Sequence, residues 1–88
     1  MRVVHCKRSQ YTHYIGRPGV FGNPFIIGRD GTRAEVIKKY EVLARSPLRG
    51  AAIREAIKTL PADAVLGCWC SPQPCHGDII IKLWKEAH

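Results

Sequence analysis

The segment LGCWCSPQPCHGDIII, Leu66 to Ile81, places Cys68, Cys70, Cys75, His76 and Asp78 within eleven residues. Residues of these types at this density suit four kinds of chemistry. Cys68, Cys70, Cys75 and His76 form a Cys3His set, and zinc takes four such ligands in a tetrahedron. Their spacing, Cys-x-Cys and then an adjacent Cys-His pair, departs from the wider-spaced pairs of ordinary structural zinc sites. Cys75 beside His76, ahead of an expected helix, fits a thiolate favoured by the helix dipole, with Cys70 as a resolving partner. A third reading makes the turn a ligand wall: free backbone N–H groups at the helix start attract phosphate or carboxylate. Gly77 then allows close approach, while His76 and Asp78 hydrogen-bond the ligand or transfer protons. In the fourth reading the turn is a rigid corner, with Cys68 and Cys70 as small buried hydrophobes, Trp69 as packing and Asp78 as a helix cap. Trp69 could equally stack a base.

A second stretch, YIGRPGVFGNPF, carries Arg17 and Asn23, each followed by a proline. Arginine makes forked contacts to phosphate, and an asparagine amide both donates and accepts. Gly16, Arg17 and Asn23 are therefore candidate ligand-binding residues. The structural alternative has Asn23 closing an Asx-turn and Arg17 pairing with Asp78 or Asp30. The loop has no Gly-Lys-Ser/Thr, which argues against hydrolysis of a nucleoside triphosphate.

The elements that must position these groups follow from periodicity. RVVHC reads as a first strand and YTHYIG as a weaker edge strand. From Gly16 to Gly31 five glycines and two prolines forbid a helix. Thr32 and Glu35 form a capping box for a helix whose apolar face holds Val36, Ile37, Tyr40, Leu43 and Ala44. Ser46 as N-cap and Pro47 at the first position open a second helix, with Leu48, Ala52, Ile53, Ala56, Ile57 and Leu60 as its stripe. Gly50 weakens that helix or admits a second backbone. A short buried strand, Ala64 to Cys68, and a final helix from Gly77 or Asp78, burying Ile80, Leu83, Trp84 and Ala87, complete the order. This is α/β: a single small domain, residues 1–88, with a short, partly parallel sheet and about three helices. In open α/β sheets ligands bind beyond the carboxyl ends of the strands, where both motifs should meet.

The composition is that of an ordinary folded domain, and its longest apolar runs fall far short of a bilayer span. MRVVHCKRSQ lacks the apolar core of a signal peptide, so a cytoplasmic location is expected, and the four cysteines point to metal, catalysis or burial. The net charge of +7 favours an anionic partner, a nucleotide or nucleic acid, and the short apolar runs lead us to expect no membrane partner.

YIGRPGVFGNPF, DGTRAEVIKKY and LGCWCSPQPCHGD, in this order, resemble the bacterial and phage family catalogued as domain of unknown function 4326. The likeness runs from about Val3 to Trp84 and covers Gly16, Arg17, Gly22, Asn23, Pro24, Phe25, Arg33, Tyr40, Cys68, Trp69, Cys70, Cys75, His76, Gly77 and Asp78. It implies a compact α/β domain in a bacterial or phage-infected cell and no particular reaction. Taken together, the residues lead us to expect a protein that binds a nucleotide, nucleoside or nucleic acid between Gly16–Phe25 and Cys68–Asp78. Catalysis, if present, would be hydrolysis or transfer at a nucleoside glycosidic bond with Asp78 and His76, without a cofactor. The alternative is a noncatalytic module held together by zinc, on Cys68, Cys70, Cys75 and His76, that docks on nucleic acid or protein.

Overall fold

Strand β3 (Val65–Cys68) is the centre of the fold in the computed structural model, which describes residues 1–88. It is the middle of three parallel strands. β1 (Arg2–His5) pairs along one side, from Arg2 opposite Val65 to His5 opposite Cys68. β2 (His13–Tyr14) pairs along the other, at Leu66 and Gly67. Successive side chains of a strand face opposite ways. Leu66 and Cys68 accordingly enter the core, while the opposite face at Gly67 is covered by the Tyr11 ring, into which any side chain would run.

Parallel neighbours need a long crossover, which between β2 and β3 is supplied by helices. α1 (Arg33–Arg45) begins at the expected capping box: Thr32 Oγ1 accepts from Glu35 N–H at 3.2 Å, and Glu35 Oε1 accepts from Thr32 N–H at 2.9 Å. It buries Val36, Tyr40 and Ala44. α2 (Ala51–Lys58) buries Ile53 and Ile57, and α3 (Gly77–Ala87) buries Ile80 and Leu83. All of these side chains except Val36 join Ile15, Leu66 and Cys68 in one core. Complete burial of each large aliphatic side chain, such as Ile15, Leu66 or Ile80, contributes about 1.5–3 kcal/mol.

The elbow between α1 and α2 differs from expectation. Ser46 does not cap a second helix at Pro47; its hydroxyl donates back to Leu43 O at 2.7 Å and closes α1. The Arg54 guanidinium then donates to the carbonyls of Ala44, Ser46 and Pro47 at 2.6–3.2 Å. With those acceptors taken, residues 47–50 form a turn and α2 starts at Ala51. Leu48, expected in the apolar stripe, is 89% exposed, and Ala52 is also outside the core. Gly50 is where the elbow's backbones meet, since a side chain there would strike the carbonyls of Leu43 and Ala44. The last helix buries Ile80 and Leu83 as expected and half-buries Trp84, whose indole N–H donates to Leu60 O, but leaves Ala87 exposed. No helix is long and apolar enough to cross a membrane.

Candidate ligand-binding site

The glycine-rich loop leaves β2 and the cysteine turn leaves β3, both at the carboxyl edge of the sheet. Between them lies a cavity of about 270 Å³, near the low end for small-molecule sites. Gly16, Arg17 and Asn23 from the loop and Cys68, Trp69, Cys70, Cys75 and His76 from the turn all reach its wall. The two motifs are thus brought together where the topology requires. Gly77 and Asp78 are not. Gly77 is buried against Val3, Ile15 and Cys75, and exposed Asp78 lines a separate recess with Lys82, Lys85 and Glu86.

Asn23 follows the structural alternative. Its Nδ2 donates to Val36 O at 3.1 Å and its Oδ1 accepts from Phe25 N–H at 3.0 Å, so the amide closes an Asx-turn and pins the loop to α1. That turn presents the Asn23 carbonyl to Arg17, whose Nη1 donates to it at 2.7 Å. Arg17 therefore pairs with neither Asp78 nor Asp30; Asp30 is held by Arg29. A second cation of the lining is Arg33, with Nη1 donating to Pro74 O at 3.1 Å. Each guanidinium has five N–H donors in a planar fork. One carbonyl fixes the fork and leaves donors for a ligand, and the lining contains no aspartate or glutamate to neutralise either.

Arg33 was not assigned a role from sequence, yet a signal existed. It occupies the first turn of α1, where the macrodipole disfavours a cation. Such a local inconsistency marks a position held for another purpose.

His76 is buried and stands edge-on to the Tyr40 ring, centroids 4.9 Å apart. Its Nε2 lies 2.8 Å from Ile15 O; a carbonyl only accepts, so Nε2 carries the proton. Burial, reinforced by the Arg17 charge and opposed by the Ile15 hydrogen bond, holds the imidazole below its usual range and neutral. Tyr40 donates its hydroxyl to Phe21 O at 3.0 Å, which ties the loop to α1 a second time.

The thiols act as knots in the turn. Cys75 Sγ donates to Cys68 Sγ at 3.4 Å, Cys68 Sγ also accepts from Ser71 N–H, and Cys75 Sγ accepts from Gly77 N–H. Burial pushes the Cys75 thiol up to about 12, opposite to the depressed value a thiolate nucleophile needs. The α3 amides expected to hold phosphate are likewise engaged: Gly77 N–H by Cys75 sulfur and Asp78 N–H by Cys75 O. No group of three or more His, Cys, Asp or Glu side chains is arranged to hold a metal ion.

Trp69 does not fill the core. It is 57% exposed at the lip of the cavity, its Nε1 donating to Tyr14 Oη at 2.7 Å. Strand alternation accounts for this, because Leu66 and Cys68 face inward and the next residue turns out. Phe25, Ile26, Ile27, Val36 and Ile37 form an apolar floor, in which the two isoleucines of the loop had no role read from sequence.

No solved structure matches the chain. An uncharacterized 12.4 kDa protein of the nrdA-td intergenic region of Enterobacteria phage T4 is 34% identical over 83 residues, covering 93% of this chain and 75% of that protein. A family model, Domain of unknown function (DUF4326), matches residues 2–86. With the match spanning every strand and helix except the last residue of α3, the chain belongs to the DUF4326 family.

Proposed function

We propose that the cavity binds a nucleotide, with its phosphate between Arg17 and Arg33 and its base against Trp69 and the apolar floor. The observation that carries this reading is the pair of guanidinium groups, each tethered to a backbone carbonyl, in the lining of one cavity without acidic side chains. A pre-oriented arginine loses little freedom on binding, and its remaining donors suit phosphate oxygens. Apolar walls with a few fixed polar groups are the usual make-up of a small-molecule site. The reading is of binding and not of glycosidic cleavage: Asp78, the expected activator of water, is exposed on α3 outside the cavity, and His76 is buried with Nε2 occupied.

The test is calorimetric titration of nucleosides and their monophosphates into the wild type and Arg17→Ala/Arg33→Ala. Hydrogen bonds to a charged group contribute about 1.5–3 kcal/mol each. The wild type should therefore prefer a monophosphate to its nucleoside by about tenfold or more, and the double variant should bind both alike. A wild type indifferent to the phosphate, or a folded double variant that keeps the preference, would overturn the reading.

A further inference from the structure

Three exposed rings lie beside the cavity and have no part in it beyond Trp69. Tyr14 is 40% exposed, Tyr11 43% and Trp69 57%. They form a connected row: Trp69 is hydrogen-bonded to Tyr14, and the Tyr14 and Tyr11 centroids are 6.2 Å apart. Their support is the face of the sheet turned away from the helices. Leu66 and Cys68 point into the core, so Gly67 presents its bare backbone to the other face, where Tyr11 lies on it. Tyr14 stands opposite Gly67 in the register and packs over Gly16, a wall residue of the cavity. Trp69 therefore sits at the corner where the carboxyl edge meets this open face.

A cation flanks the row: Lys7 Nζ lies 5.4 Å from the Trp69 ring centroid. Arg17 is the next cation around the corner, on the cavity wall. The net charge of +7 favours a polyanion.

We infer that this face is a track for single-stranded nucleic acid, continuous with the cavity: one nucleotide enters the cavity with its base against Trp69, and its neighbours stack on Tyr14 and Tyr11. The inference rests on the nucleotide reading of the cavity and extends it to a polymeric ligand. Aromatic rings on an open sheet face stack unpaired bases whatever their sequence, and flanking cations follow the backbone. A duplex keeps its bases stacked internally and offers none to the row, so the single strand is the form selected.

The experiment measures fluorescence anisotropy of labelled oligothymidylates of increasing length, alongside mononucleotide titrations, for the wild type, Tyr11→Ala and Lys7→Ala. Stacking contributes about 1–3 kcal/mol per base, about 5- to 150-fold in affinity. Lengthening the ligand from one nucleotide to four should therefore tighten binding by about tenfold or more, with a blunt duplex of equal length much weaker. Tyr11→Ala should lose most of that gain and leave mononucleotide binding unchanged. Lys7→Ala, on an exposed side chain that the fold does not use, should lower the dependence of log affinity on log salt by about one. If mononucleotides bind but length brings no gain, the track is refuted and the cavity reading survives. If oligonucleotides bind with the length gain while mononucleotides do not, the track stands and the cavity reading falls. Equal displacement of a bound strand by polyglutamate would reduce the effect to charge alone and overturn the inference.

Discussion

Replacing Asn23 by alanine separates a structural amide from a ligand-reading one. Asn23 is 8% exposed and makes two hydrogen bonds, to Val36 O at 3.1 Å and from Phe25 N–H at 3.0 Å. Alanine deletes both and leaves the Phe25 amide without its partner. An unsatisfied buried group costs about 1–3 kcal/mol and an ordinary hydrogen bond contributes about 1 kcal/mol. The sum is about 2–4 kcal/mol of folding stability. In a domain of this size each kcal/mol moves Tm by about 4–8 °C, so Asn23→Ala should melt about 10–30 °C lower. Asn23→Asp should be equally harmful: it keeps an acceptor for Phe25 but turns the Val36 contact into one acceptor against another. Arg17→Ala removes one hydrogen bond from an exposed side chain and should shift Tm by only a few degrees, about 0.5–1 kcal/mol. Thermal denaturation by circular dichroism decides the matter. An Asn23→Ala protein that melts with the wild type yet loses nucleotide binding would refute the structural assignment and return the amide to the ligand.

Protonation of His76 is opposed by the fold, so its folded-state value lies below its unfolded one. The unfolded chain then binds more protons, and stability should fall as pH drops below about 6.5, by at most about 1.4 kcal/mol per pH unit. Denaturant titrations with His76→Gln should be flatter across that window; equal slopes would contradict the assignment. All four cysteines are free. Half-buried Cys6 and Cys70 should react readily with a thiol reagent under native conditions, and buried Cys68 and Cys75 only on unfolding, as mass spectrometry of labelled peptides would reveal. Gly50→Ala should cost about 1–3 kcal/mol or more, because a methyl group strikes the Leu43 and Ala44 carbonyls, and a neutral result in urea would mean that the elbow can open.

The sequence made the frame legible where local and global signals agreed. Thr32 and Glu35 specified the start of α1, the valines of β1 specified a strand, and the Leu66–Cys68 alternation specified the buried centre. It misled where one residue has two local uses. A serine hydroxyl can cap the helix behind it or the helix ahead, and Ser46 turns back to Leu43 O while Arg54, eight residues on, ties together the carbonyls of Ala44, Ser46 and Pro47. Asn23 and Arg17 were singled out together as candidate ligand groups, but the direct bond between them, side chain to backbone, depends on the loop's path and leaves no periodic trace. Asp78 was expected at the cavity with His76; Gly77, packed against Val3 and Ile15, sets the phase of α3 and carries Asp78 to the exposed side. Trp69 could have been placed outside by continuing the strand's own alternation. Arg33 could have been found from its unfavourable charge at a helix start.

The strand order carries a consequence for the protein during its synthesis. Both edge strands come early in the chain and have no partner except β3. While residues 1–64 are emerging, α1 can form on its capping box, but β1 and β2 can pair with nothing, and the cavity lacks the wall that Cys68 to His76 supplies. Contacts between distant segments form late because the closing of the intervening loop must come first. A nascent chain therefore gains its sheet, its site and its open aromatic face in one event, when residues 65–76 leave the ribosome. A ribosome-bound fragment halted before Val65 should be protease-sensitive throughout and unable to hold the ligand of the finished protein.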